Sequence, residues 1–146
     1  MAGPSLPRRA LLALGLLATA SARAAERLRF DELYAAWSVT GLSFSARAQG
    51  LAGHAASMAG FMAPPLKAEA DFFVLTREPL SMCPFCSSDA EWPPDIVVAY
   101  MQRDAQPTAP NQVIEVTGTL EIGSWTDPAS GFVSQARLRS ATFRLT

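Results

Sequence analysis

The residues best suited to chemistry are the two cysteines of the segment Ser81-Met82-Cys83-Pro84-Phe85-Cys86. A Cys-x-x-Cys spacing serves three kinds of chemistry: thiol–disulfide exchange, metal binding by two thiolates, and a structural disulfide. Which of them applies depends on the elements that hold the two thiols.

Thiol–disulfide catalysis is supported by the tetrapeptide and opposed by its context. Cys-Pro-Phe-Cys resembles the glutaredoxin active-site motif, where a helix starts at the motif and its N-terminus lowers the thiol pKa. Here the polar segment from Ser87 to Trp92 follows, and Pro93-Pro94 stops any helix within two turns. No βαβ pattern comes after it, so we expect no catalysis at Cys83 and Cys86.

Metal binding would need further ligands besides the two thiolates. His54 is the chain's one imidazole, and Asp89 is the carboxylate closest to the cysteines. Cys83, Cys86, His54 and Asp89 together offer ligand types that suit zinc. Because His54 lies in a Gly-rich turn, its simpler interpretation is a solvated loop residue.

A structural disulfide is the interpretation that we favour. It suits an exported protein, since disulfides persist in oxidising compartments. Closing a loop of four residues contributes only about 2 kcal/mol in the chain-entropy model. That is sufficient to hold a Pro-rich loop beside a sheet.

The first 24 residues predict export. Arg8 and Arg9 precede an apolar run from Ala10 to Ala20, and Ala22-Arg23-Ala24 is an A-x-A cleavage signature. The paired arginines also resemble a twin-arginine signal. We therefore predict cleavage after Ala24, a periplasmic location and one mature domain over residues 25–146.

Composition excludes several classes of function. With 146 residues and a formal charge of −1, the chain fits one domain and has no basic footprint for nucleic acid. No apolar run reaches the 18 or so residues of a membrane span. The sequence also contains no Gly-x-Ser-x-Gly, phosphate-binding glycine loop or HExxH motif. We predict a protein that is not an enzyme.

The elements around the cysteines are mostly strands. Phe30 to Trp37 is predicted as a short helix capped by Asp31 that covers an end of the sheet, and the alternation Leu42, Phe44, Ala46 follows it. Later segments with apolar runs or period-two alternation predict strands at Ala56 to Met62, Phe72 to Thr76, Ile96 to Met101, Val113 to Ile122 and Phe132 to Leu145.

Two strand glycines, Gly60 and Gly118, indicate a coiled sheet, because glycine in a strand marks a bend or a close backbone approach. The alternation of the last strand slips near Ser140, as at a β-bulge. We predict a small OB-like antiparallel β-barrel with a short N-terminal helix.

The remaining polar and aromatic residues suggest no separate site. We expect solvated strand faces for the charged residues Glu115, Glu121, Arg137, Arg139 and Arg144. Trp92, Trp125 and Phe132 lie in or beside loops, either as an exposed recognition surface or, as we favour, packed as core or lid residues.

From Ala56 onward the chain resembles a family of uncharacterised exported bacterial proteins with a domain of unknown function. The similarity lies in the motif from Gly60 to Pro64, the strand from Phe72 to Leu75, the loop from Cys83 to Pro94, and the strands Ile114 to Leu120 and Ala136 to Ala141. A second group of small OB-like bacterial proteins, tied to membrane permeases, is similar at Arg77 to Ala90. This chain has a second cysteine and no histidine in the loop, where many members have one cysteine and a histidine.

The resemblance implies a function in the cell envelope. Members of the first family are often encoded beside ABC-type transporters implicated in zinc uptake. We therefore expect an exported accessory or binding protein whose partner is an ABC-type permease or another envelope protein, with a zinc link. The alternatives are a thiol–disulfide protein using Cys83 and Cys86, and a purely structural interaction module.

Overall fold

The computed structural model describes residues 23–38, 41–64, 71–80, 92–103 and 106–146. These residues are mainly in β-strands, as the sequence predicts. The strands are β1 (Glu26–Arg27), β2 (Tyr34–Ser38), β3 (Gly41–Phe44), β4 (Ala55–Met62), β5 (Phe72–Thr76), β6 (Ile96–Met101), β7 (Val113–Thr126) and β8 (Val133–Leu145). β5 and β6 have the predicted bounds, and β4 begins one residue earlier.

The predicted helix from Phe30 to Trp37 is wrong. A single 3-10 turn spans Phe30–Glu32, and β2 follows and pairs with β3 as an antiparallel hairpin. The turn is closed by the Glu32 carboxylate, which accepts the Arg29 backbone N–H at 2.9 Å, so Asp31 is not its cap. A two-turn helix is marginal on its own, and pairing with β3 satisfies the backbone of β2 instead.

The helix lies later, where strand alternation was expected to continue through Ala46. Helix α1 spans Ala46–Leu51. Ser45 caps it, because its hydroxyl oxygen accepts the Ala48 backbone N–H at 3.0 Å. This cap ends β3 at Phe44 and turns the chain towards β4.

The six strands of the main sheet follow the order β1-β4-β5-β6-β8-β7, and β4 also pairs with β7. Each of the five strands from β4 to β8 therefore pairs with two others of that set. The β1–β4 and β6–β8 pairs are parallel, which differs from the antiparallel arrangement that we predicted. The hairpin β2–β3 forms a separate sheet of two strands.

Gly60 and Gly118 lie where a neighbouring strand leaves no room for a side chain. A Cβ atom on Gly60 would lie 2.5 Å from the Thr76 carbonyl oxygen, and one on Gly118 would lie 2.7 Å from the Arg139 carbonyl oxygen. The predicted bulge near Ser140 is confirmed, since Ser140 has φ 48° and the β7–β8 register shifts between Thr117 and Thr119. The glycines and the bulge let the sheet coil around its core.

The core lies on the inner face of the coiled sheet. Its buried strand residues come from β4 to β8, and Leu28, Leu33 and helix α1 cover it from the side. The largest core residues are Leu28, Leu33, Met58, Leu75, Val97, Ile114, Val116, Leu120 and Leu138. The outer face of β5 and β6 is also buried, in two smaller clusters. β5 and β6 are therefore buried on both faces.

No helix in the described part of the chain has the length and apolar character needed to cross a bilayer.

Candidate functional site

The predicted ligand set is only partly within the described residues. Cys83, Cys86 and Asp89 lie outside them. His54 is exposed in the turn after α1, where its carbonyl oxygen accepts the Leu120 N–H at 3.0 Å. The cleft that His54 lines, of about 100 Å³, is also lined by Glu26. Among the described residues, no three potential metal ligands lie together.

A second group of residues on the outer face was missed by sequence reasoning. Phe72, Val98 and Tyr100 point outward from β5 and β6 and are buried there. The signal was available, because the run from Ile96 to Met101 is apolar at every position and a strand of that kind is covered on both faces. The sequence did not show which residues provide the cover.

Three aromatic residues from loops or a strand end supply that cover. Trp92, Trp125 and Phe132 are half-buried against Phe72, Val98 and Tyr100, which confirms our packing interpretation. The Phe72 ring lies 5.1 Å from the Tyr100 ring and 5.3 Å from the Phe132 ring, and Tyr100 meets Trp125 edge-on at 5.5 Å. Such pairs add to the stabilisation from area burial.

Two arginines complete the group, which we call the aromatic–arginine cluster: Phe72, Tyr100, Trp125, Phe132, Arg137 and Arg139. Arg137 is 6% exposed, so the predicted solvated stripe on the last strand is wrong at this position. Its guanidinium donates to the Glu121 carboxylate at 2.8 Å and to the Gly123 carbonyl at 2.9 Å. Gly123 has φ 103° at a β7 bulge, so Arg137 stabilises the bulge that positions Trp125.

Arg139 is held between two aromatic rings. Its guanidinium carbon lies 3.9 Å from the Trp125 ring centroid and 4.4 Å from that of Tyr100, within cation–π range. Its Nε donates to the Glu121 carboxylate at 3.1 Å, whereas its terminal nitrogens donate to none of the described residues. With 28% of the side chain exposed, the outer edge of this guanidinium is accessible.

Electrostatics within the cluster favour a charged Glu121. Partial burial raises the pKa of the Glu121 carboxyl, but hydrogen bonds from Arg139 and Arg137 outweigh that effect and hold the pKa below its usual value. One carboxylate therefore serves two guanidinium groups, which leaves the triad of Glu121, Arg137 and Arg139 with an excess positive charge.

Tyr100 holds a polar atom without a partner inside this cluster. Its hydroxyl is buried and makes no hydrogen bond within the described part of the chain. Burial, with a contribution from the Asp127 charge, raises the pKa of Tyr100 to about 12. The hydroxyl is thus neutral across the physiological range and remains able to donate or accept a hydrogen bond.

The loop before β8 is built to hold Phe132 in place. The Asp127 carboxylate accepts the Ala129 N–H at 3.1 Å and the Ser130 hydroxyl at 2.5 Å. The Asp127 N–H in turn donates to the Phe132 carbonyl at 2.8 Å. Asp127 is 6% exposed, and its hydrogen bonds close the short loop that ends at Phe132.

Trp92 links the cluster to the chain that follows the cysteines. Its indole N–H donates to the Tyr34 hydroxyl at 2.9 Å, which joins it to the β2–β3 hairpin. Burial raises the pKa of Tyr34 to about 12, although the Trp92 hydrogen bond acts in the opposite direction. The chain leaving the cysteine segment is therefore fixed six residues after Cys86, beside the cluster.

Comparison with known proteins supports the fold. No family model and no curated protein matches the chain. Among solved structures, a DUF3299 family protein from Pseudomonas aeruginosa PAO1 aligns with a TM-score of 0.57 over 84% of this chain and 97% of that one. The chain shares its fold with this domain of unknown function. At 14% identity the likeness concerns the fold, and it agrees with the family resemblance at that level.

Proposed function

We propose that the chain is an exported, non-enzymatic accessory protein of an ABC-type envelope transport system, linked to zinc, and that it binds its partner through the aromatic–arginine cluster. The observation behind the proposal is the accessible edge of Arg139 between Trp125 and Tyr100. Trp, Tyr and Arg are the residues that dominate binding energy at protein interfaces. The ABC and zinc links rest on the family resemblance.

We propose that the chain is cleaved after Ala24, acts in the periplasm and folds as an OB-like barrel. Two features support the OB-like barrel: the pairing order of β4 to β8, which returns to β4, and the parallel β6–β8 pair. OB-folds bind ligands on the face of their second and third strands. In this chain those strands are β5 and β6, which hold Phe72 and Tyr100.

Zinc would be held by the cysteine segment in this proposal. Two thiolates, the His54 imidazole and the Asp89 carboxylate are donor types that zinc accepts. The exposed position of His54 suits a ligand that meets the metal together with other segments or with a partner. The zinc link and the partner surface are separable, because they use different residues.

A crosslinking and growth experiment tests the proposal. The gene is deleted, and growth is measured under zinc limitation with the wild-type chain, Arg139→Ala, Trp125→Ala or Arg144→Ala supplied in trans. Arg144 is the matched control, since it lies on the same strand, is 77% exposed and, among the described residues, pairs only with Glu115. We expect Arg139→Ala and Trp125→Ala to lose permease crosslinking and growth, while Arg144→Ala retains both.

The alternatives predict different outcomes. Wild-type growth of the deletion strain with unchanged metal content removes the zinc link. A Cys83→Ser variant that loses insulin-reduction activity, compared with the wild-type chain, would establish the thiol–disulfide alternative. Capture of an envelope protein that is not a permease, with no effect on metal content, would support the purely structural module.

A further inference from the structure

A gap in the backbone ladder lies along one edge of β4. The Leu28 N–H donates to the Ser57 carbonyl at 2.9 Å, and the Ala63 N–H donates to the Val74 carbonyl at 2.9 Å. Alternate residues of a strand direct their N–H and C=O groups to the same side. Ala59 therefore directs both groups towards the edge that β1 and β5 share, at a point that neither strand reaches.

Local hydrogen bonds turn both neighbouring strands away from Ala59. β1 stops because the 3-10 turn follows it, with the Arg29 N–H bound to the Glu32 carboxylate. Beyond β5, the Thr76 hydroxyl donates to the Glu78 carbonyl at 2.7 Å, which bends the chain where Glu78 would otherwise pair with Ala59. The gap is therefore a built feature of the fold.

An open cleft of about 230 Å³ lies over this gap, and its lining is rich in arginine. Arg27, Arg29 and Arg77 surround Ala59 together with one carboxylate, that of Asp31. Arg29 is paired with Asp31 at 2.9 Å. Arg77 approaches Asp95 only at 3.7 Å and also interacts with the Asp31 charge. The Arg27 guanidinium interacts with the Glu115 charge but donates no hydrogen bond to any described residue.

We propose that this cleft binds the free C-terminal carboxylate of an extended partner polypeptide. The last residue would pair with Ala59, donating its N–H to the Ala59 carbonyl and accepting the Ala59 N–H through its carboxylate. Arg27 and Arg77 would neutralise that carboxylate. Charge-assisted hydrogen bonds of this kind are the strong ones, and adding a residue to a sheet edge is an established way of binding peptides.

The length of the gap selects a chain end. Ser57 and Phe61 are the nearest β4 positions that pair with β1 and β5, and they are about 13 Å apart at strand spacing. Of the three β4 positions between them, Met58 and Gly60 direct their backbone groups to β7, so only Ala59 offers both groups at this edge. One residue can therefore pair there between the ends of β1 and β5, and a strand cannot pass through. The cleft lies near Arg77, past the end of β5, whereas Phe72 of the aromatic–arginine cluster lies at the start of that strand. Because the two places differ, this inference is independent of the proposed function.

The test uses the ¹⁵N-labelled full chain and acetyl-Thr-Val-Val as the probe, as the free acid or as the carboxamide. Chemical shifts of the Ala59 amide are followed by NMR during titration. We expect the free acid to shift this amide saturably and to bind at least about tenfold more tightly than the carboxamide. The Arg27→Gln/Arg77→Gln variant should lose about tenfold of that affinity or more, and Arg103→Gln, at an exposed arginine elsewhere, should lose none.

Four results would overturn the inference. Equal affinity for the acid and the carboxamide would show that the cleft does not recognise the carboxylate. If acetate shifts the Ala59 amide with the same affinity as the peptide acid, the cleft binds small carboxylates in general and does not recognise a chain end. Unchanged affinity of the double variant, or an Ala59 amide that does not respond, would show that the peptide does not bind in this cleft.

Discussion

Leu138 and Arg137 are neighbours on β8 and face opposite sides of the same sheet. Leu138 is fully buried in an apolar core, among residues that need only shape and hydrophobicity. Arg137 is almost as buried, at 6% exposed, but its environment is a set of specific partners: Glu121, Gly123 and Ser134. β8 thus lies between an apolar core on one face and a polar network on the other.

The two sides differ in how they tolerate change. An apolar core accepts substitutions that keep volume and loses stability mainly through cavities. A buried cation requires each of its partners, because an unpaired charge or carbonyl keeps its full desolvation cost. The outer side should therefore tolerate fewer substitutions than the inner side.

The largest effect is expected on the inner side. Leu138→Ala removes a fully buried side chain and leaves a cavity, so it should lower the free energy of unfolding by about 3 kcal/mol. Leu145→Ala is the matched control, because Leu145 is 61% exposed near the chain end, and it should cost less than about 0.5 kcal/mol. Urea denaturation measures both, and equal losses would refute the assigned core.

Gly60→Ala tests the closeness of the strands around that core. A methyl group there would meet the Thr76 carbonyl oxygen at 2.5 Å, which requires the backbone to move and should cost about 2–3 kcal/mol. Gly50→Ala is the control, since Gly50 lies in α1 with nothing within 4 Å and alanine favours a helix by about 0.5–1 kcal/mol. A Gly60→Ala variant as stable as the wild type would contradict the close approach.

The inner side was largely predictable from the sequence. β5 and β6 are contiguous apolar runs, and the slip in alternation near Ser140 reflects a local bulge. The segment 25–44 was not predictable, because the choice between a helix and a hairpin at Tyr34 depends on pairing with β3. Sequence patterns record period and propensity, but not which segment becomes the partner.

The outer side could be predicted only in part. The apolar outer positions of β6 require a cover, and Trp125 and Phe132 were recognised as packing residues. The burial of Arg137 depends on a bulge at Gly123 that lies 14 residues away along the chain. A strand arginine usually faces solvent, so its environment follows from tertiary structure alone.

Arg137→Ala is expected to have the next largest effect. It leaves the Gly123 carbonyl and the Ser134 groups without their donor, which should cost about 2 kcal/mol in the free energy of unfolding. Arg144→Ala removes an exposed ion pair with Glu115 and should cost about 0.5 kcal/mol or less. If the two variants lose the same stability in urea, the network on the outer side has no structural role.

High pH should also weaken the fold through the chain's two tyrosines, Tyr34 and Tyr100. Burial raises the pKa of each to about 12 in the folded protein, against about 10 in an unfolded chain. The folded state then holds protons that the unfolded state releases, so stability falls as pH rises from about 10 towards 12. Tyrosinate absorbance of the folded protein should appear near pH 12, and titration near pH 10 would refute the burial of both rings.

The smallest effect at neutral pH distinguishes the two tyrosines from each other. Tyr100→Phe removes a buried hydroxyl that has no partner among the described residues, so stability should be unchanged or rise by up to about 1 kcal/mol. Tyr34→Phe, the matched control, takes the acceptor away from the Trp92 N–H and should cost about 1 kcal/mol. A clear loss of stability in Tyr100→Phe would mean that its hydroxyl is satisfied in solution, by an ordered water or by a segment that covers the cluster. In that case the hydroxyl is a structural group, and the proposed binding of a partner by the cluster would rest on Arg139 and Trp125.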